Sequence, residues 1–215
     1  MSAWTSRYGG LAWRVTPQGV EIQGAGLMRT KGEPRTMRMY WAWWASHYLA
    51  ASRATGVPVP LLLMTSATEN GAFRLDRETM EPHVTPVRQE PGYVNDARTP
   101  NRISVGPCHL LISTGRGAMG DPTINRAWLM DRGNNIMAAA KYIAGQRGAT
   151  NLDPILVSAA YNAGSVREAK PGTRYFNRWH VVSYGNHLDR AGAWYGDALA
   201  VLAEAEAALH LGRIA

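Results

Sequence analysis

The sequence predicts a mostly α-helical domain with a small β-like extension at its N-terminus, and three observations carry that prediction. Three segments, at residues 35–55, 58–70 and 154–163, show apolar helical patterning with proline at their start and glycine just past their end. Loose two-residue alternation appears in "AWRVTPQGVEIQG", residues 12–24. A hydrophobic content of 46% over 215 residues suffices to fill one domain, or a domain with a small appendage. The reading divides the chain into a β-like arm over 1–33 and a helical domain over 34–215.

The elements follow in order. Pro17 and Gly19 sit where the turn of a hairpin would fall in the arm. A helix is expected over 35–55, with Pro34 in its first turn and Gly56 as its stop. Trp41, Trp44, Tyr48 and Ala51 share one stripe of it, widened by Tyr40 and Trp43. Helical spacing makes these aromatics core residues rather than a sugar-stacking platform. "VPVPLLLMTSATENGAF" makes a second helix, opened by Pro58 and Pro60 and closed by Gly71. It is apolar up to Thr65 and then delivers Glu69 in its last turn, where the helix dipole disfavours an anion. Prolines at 82, 86, 91 and 100 make residues 74–102 mostly loop, and long ordered loops are often functional.

"ISVGPCHLLISTGRGAMG", residues 103–120, reads as a tight turn and a short helix. Residues 124–148 read as a third major helical region, with Trp128, Ile136, Ala140 and Ile143 facing the core. Asp153 caps a further helix and Pro154 occupies its first turn. An Ala-rich helix from about residue 191 closes the chain.

Composition narrows the function. Cys108 is the sole cysteine, so neither an internal disulfide nor a cysteine-based zinc site is expected. His47, His83, His180 and His187 show no metal-ligand spacing, and no metal or cofactor is expected. No apolar run is long enough to span a membrane, and no secretory signal is seen at the N-terminus. The net charge of +7 suits nucleic acid or an anionic polymer such as a bacterial wall. The basic residues are scattered and carry no nucleic-acid-binding signature, which argues against nucleic acid as partner.

Three features then line up: a helix ending in Glu69, the Ser-x-Gly turn of "SVGPCHL", and an apolar helix ending "AAYNAG". The tyrosine, amide and glycine of the last could simply end a helix. In this order, however, the features resemble the soluble lytic transglycosylases, the family 23 glycoside hydrolases of lysozyme-like fold, over residues 55–200. "RQEPGYVNDARTPNRISVG" looks like the elaborated loop of phage and prophage members. The resemblance implies a lysozyme-like fold and cleavage of the MurNAc–GlcNAc β-1,4 linkage of peptidoglycan. It implies Glu69 as the catalytic acid/base. Tyr161 and Asn162 would line the site, and Ser104 and Gly106 would shape the turn under the sugar. The chain departs from the family at Asn70, where serine is usual, and at Pro107, Cys108 and His109, where Leu-Met-Gln is usual. His109 can take the place of the glutamine as a hydrogen-bonding group.

The chemistry accounts for a single glutamate. Glycosidic cleavage needs an acid on the leaving oxygen and a nucleophile at an oxocarbenium-like carbon. In the transglycosylase pattern the C6 hydroxyl of the substrate is that nucleophile, so Glu69 should start protonated. Leu62, Leu63 and Phe73 are candidates for the apolar setting that keeps it so, and the Tyr161 hydroxyl for orienting the carboxyl. Glu90, sixteen residues before Gly106 at a more usual family spacing, is the rival acid or a subsite residue. Glu90 or Asp96 would be the general base if the enzyme were a goose-lysozyme-like hydrolase. Tyr184, in "YGNHLDR", is a further substrate-binding candidate. The expected partners are glycan strands and phage tail or virion proteins. The expected place of action is the periplasm or wall, reached inside a virion or by holin-dependent release. The competing reading from another class is a structural virion component with a decayed lysozyme-like domain.

Overall fold

A computed structural model describes residues 3–71 and 74–212. The described residues hold two small antiparallel sheets and eight helices. The first sheet is β1 (Trp13–Thr16), β2 (Gly19–Ile22) and β3 (Gly26–Leu27), in that order. β1 and β2 form the expected hairpin, with Trp13 opposite Ile22 and Thr16 opposite Gly19.

The long helices surround a central one. α1 (Arg35–Thr55) and α2 (Val59–Asn70) start and stop at the expected prolines and glycines. Gly56 lies at φ +69° and donates its N–H to Ser52 O, a left-handed cap that glycine adopts without a Cβ penalty. α2 is buried from Leu61 through Thr68, so it has no solvent face. Met37, Tyr40, Trp44, Tyr48 and Ala51 of α1 pack in the same cluster as Leu61–Met64, and Trp41 is partly buried against it. Trp43 departs from the expected stripe and is 46% exposed. α1 kinks at Trp44 (φ −125°, ψ 16°), which breaks the helical phase beside Trp43.

The loop after α2 carries β4 (Val87–Gln89), which pairs with β5 (Ile103–Val105) and through it with β6 (Leu110–Leu111). Residues 103–111 were expected to hold only a turn. Their strands are two and three residues long and exist through pairing, β5 with β4 and β6 with β5, which local patterning does not register. α3 (Ile112–Met119) ends at Gly120 in the left-handed conformation.

The expected third helical region is divided into α4 (Arg126–Met130), α5 (Arg132–Gly145) and α6 (Arg147–Thr150). The break is at Asp131, whose extended backbone ends one helix while its carboxylate accepts the Asn134 N–H and caps the next. Ile136, Ala140 and Ile143 are buried, and Trp128 is partly buried.

α7 (Pro154–Ala163) is capped by Asp153, whose Oδ1 accepts the Ile155 and Leu156 N–H groups. Its Oδ2 accepts the Trp13 indole N–H at 3.0 Å and so ties the first sheet to this helix. Trp13, Val20 and Ile22 pack with Ile155, Ala159, Trp179 and Leu188. α8 (His187–Gly212) begins earlier than the Ala-rich run implies and lies along α2 and α7. No helix of the described residues is long and apolar enough to cross a membrane.

Candidate active site

Glu69 sits in the last turn of α2 with its side chain 15% exposed. Leu62 and Leu63 of the same helix are buried; Phe73 lies outside the described residues. Burial pushes the Glu69 carboxyl up from its ordinary 4.5 to about 7. The Arg190 and Arg88 guanidinium groups pull against that rise, and Glu90 adds to it. Arg190 also donates to the Thr68 carbonyl at 2.8 Å, satisfying an orphan acceptor of the helix end.

The turn between β5 and β6, Gly106–His109, closes over the end of α2 and is held from three helices. From α2, the Asn70 amide donates to Pro107 O and accepts the Thr85 N–H at 3.0 Å. Asn70 is thus a clamp between helix, turn and loop. From α5, the fully buried Asn135 accepts the Cys108 N–H and donates to Val105 O and Leu129 O. From α7, Tyr161 donates its hydroxyl to Cys108 O at 2.7 Å. This corrects the expectation that Tyr161 orients the carboxyl: its proton goes to the turn that carries His109. Gly106, at φ +73°, leaves room for the Asn135 amide, which a Cβ would meet at 2.6 Å. The Cys108 thiol is buried and pushed up to about 12, so it takes no part as a thiolate.

Two imidazoles flank the carboxyl. His109 Nδ1 lies 4.0 Å from Glu69 Oε2, and His187 Nε2 lies 3.7 Å from Oε1. Both rings are more than 90% buried. Burial lowers both from the ordinary 6.5, His187 to about 4, so neither is an imidazolium near neutral pH. Sequence reading missed His187, which it left among the histidines of no assigned role. It stands 118 positions from Glu69, and only the packing of α8 on α2 joins them.

The other candidates are more dispersed. Asn162 accepts the Tyr184 N–H at 3.0 Å, which anchors the segment leading to His187. Tyr184 is 45% exposed and packs edge-on against Tyr175. Ser104 is buried in β5, its hydroxyl toward Arg88 O. Glu90 follows β4 with its side chain 40% exposed and Arg88 Nε at 3.8 Å. The Asp96 carboxylate is held by two Arg126 nitrogens and the Tyr93 hydroxyl and stays well ionised. Among the described residues no group of three or more His, Cys, Asp or Glu is placed to hold a metal ion.

No protein-family model matches the chain, and no curated protein matches it. Among solved structures it is similar to an inactive glutamate-to-glutamine mutant of the lytic transglycosylase Slt from Pseudomonas aeruginosa, with a TM-score of 0.50 and 17% identity. The match covers 79% of this chain and 25% of that one, so the chain spans about a quarter of its neighbour's length. The likeness establishes the fold alone: a mostly α, lysozyme-like domain.

Proposed function

We propose that the chain degrades peptidoglycan as a lytic transglycosylase, cutting the MurNAc–GlcNAc β-1,4 bond with Glu69 as its single acid/base. The observation that carries this reading is the buried Glu69 carboxyl, which burial keeps substantially protonated near neutrality. In the reaction Glu69 gives its proton to the leaving GlcNAc oxygen as the C1–O bond breaks. The C6 hydroxyl of MurNAc bonds to C1, and its proton returns to the carboxylate. No water is consumed, and the cut chain ends in 1,6-anhydroMurNAc.

Tyr161 and Asn162 then serve the site through what they hold: the His109 turn and the Tyr184 segment. Ser104 and Gly106 shape the floor, and Glu90 and Tyr184 supply polar and aromatic contacts at its rim. Asp96, engaged by Arg126, is unsuited to act as a second catalytic carboxylate. The resemblance of residues 88–106 to the elaborated loop of phage and prophage members supports a phage-encoded enzyme acting on the wall at entry or lysis, with virion proteins or a holin providing access.

Digestion of purified sacculi tests the reading, with released muropeptides weighed by mass spectrometry. Anhydro ends are expected, and Glu69→Gln should abolish release while the chain stays folded. Reducing ends, heavier by one water, would instead identify a hydrolase and direct attention to Glu90. A folded chain that releases nothing would support a non-catalytic virion component.

A further inference from the structure

The surroundings of Glu69 give its carboxyl a direction. His109 Nε2 lies 3.0 Å from the Thr85 carbonyl oxygen. A carbonyl only accepts, so that nitrogen carries the hydrogen. In a neutral ring Nδ1 is then a bare lone pair. It is buried, has no hydrogen-bond partner, and faces Glu69 Oε2 at 4.0 Å. An acceptor aimed at a carboxylate is two lone pairs meeting in a desolvated place, which costs free energy. The same acceptor aimed at a carboxylic acid finds its donor. The separation is one side-chain adjustment from contact.

We propose that His109 is a positioning residue that holds the Glu69 carboxyl in its protonated form and fixes the hydrogen on Oε2. Oε1 is then the carbonyl-type oxygen, turned toward His187 Nε2. The order runs His187 N–H, Oε1, Oε2–H, His109 Nδ1, His109 Nε2–H, Thr85 carbonyl, every member neutral. The backbone supports it: His109 lies at φ +42°, a left-handed conformation that fixes where the ring leaves the turn. That turn is the one pinned by Asn70, Asn135 and Tyr161. The other charged or titratable groups bearing on Glu69 are Arg190 of α8, Arg88 of β4 and Glu90 just after it, with Cys108 on the turn and Tyr161 of α7. The two arginines oppose protonation, so an added device that favours the acid form has something to work against.

The use of that proton in bond cleavage rests on the proposed function of Glu69 as the acid; the protonation itself does not. The test is therefore a titration of the full chain by carbon-13 NMR of its glutamate carboxyls, with Glu69→Gln assigning the signal. In the wild type the Glu69 midpoint is expected near 7. His109→Gly keeps the left-handed turn but withdraws the acceptor, and the midpoint should fall by about one pH unit, tenfold in proton affinity. His109→Asn, which tolerates the same turn and returns an amide oxygen at the position of Nδ1, should recover most of that fall. An unchanged midpoint in His109→Gly, or an equal fall in both variants, would overturn the proposal. A variant that does not fold leaves the wild-type measurement decisive: nitrogen-15 shifts should place the His109 hydrogen on Nε2, and finding it on Nδ1 would overturn the proposal. Sacculus digestion by the same samples separates the two ideas. Absence of lysis with the titration as expected would refute the proposed activity and leave the assignment of His109 standing.

Discussion

Ionising Glu69 inside the fold opposes folding, and the sign can be worked out. Below its ordinary 4.5 the carboxyl is protonated whether the chain is folded or not, and it costs nothing. As pH rises through about 7 the folded chain must carry a buried charge that the unfolded chain solvates, so stability is lost across that window. The full loss is about 3 kcal/mol. His187 acts oppositely: neutral in the fold down to about 4, it costs stability as pH falls below 6.5. Comparing Glu69→Gln with wild type isolates the first effect. The variant should melt several degrees higher at pH 8 and at nearly the same temperature at pH 4. A gap that does not change with pH would contradict the burial assigned to this carboxyl. Gly106 makes a second prediction. Alanine there meets Asn135 Nδ2 at 2.6 Å and Leu129 O at 2.7 Å, at a positive φ that alanine disfavours. Gly106→Ala should lower stability by about 2–4 kcal/mol in urea denaturation, with loss of activity as the turn shifts.

At the scale of elements, the joint between the first sheet and α7 depends on one carboxylate. Asp153 caps α7 with one oxygen and holds the Trp13 indole with the other. Asp153→Ala removes a cap and leaves a buried indole N–H without its acceptor, and should cost about 2–4 kcal/mol. Hydrogen exchange should show the loss in α7 and in β1–β2 together; protection falling in α7 alone would mean the Trp13 bond carries little. The elements also differ in how far the sequence foretold them. Helices bracketed by proline and glycine, α1, α2 and α7, were legible because those residues act on their own neighbours' backbone. β5 and β6 were not, because strands of two and three residues carry too little patterning of their own and are stabilised by pairing, β5 with β4 and β6 with β5. The break between α4 and α5 lay in plain view at Asp131. It is masked because a cap inside a continuous apolar pattern competes with periodicity.

For the whole molecule, the charge of +7 should draw the chain to a wall rich in carboxylates. Binding of the Glu69→Gln variant to sacculi, measured by sedimentation, should weaken steeply as salt is raised past about 0.15 M, where screening reaches about 8 Å. Binding that is indifferent to salt would assign recognition to the cleft alone.

By itself the sequence determined the helical class, the bounds of α1, α2 and α7, the N-terminal hairpin, and a glutamate at the end of an apolar helix. These are local: periodicity, capping and turn chemistry act within a few residues. Only the tertiary structure decided what surrounds that glutamate. His187 reaches it from α8, and the Tyr161 hydroxyl goes to the Cys108 carbonyl rather than to the carboxyl. Asp96 is engaged by Arg126, and Asn70 joins helix, turn and loop. Each depends on which distant elements share a core, and on which hydrogen-bond partners burial leaves within reach. The protonation of Glu69 belongs to the same group, because desolvation is a property of the packed interior and not of the residue.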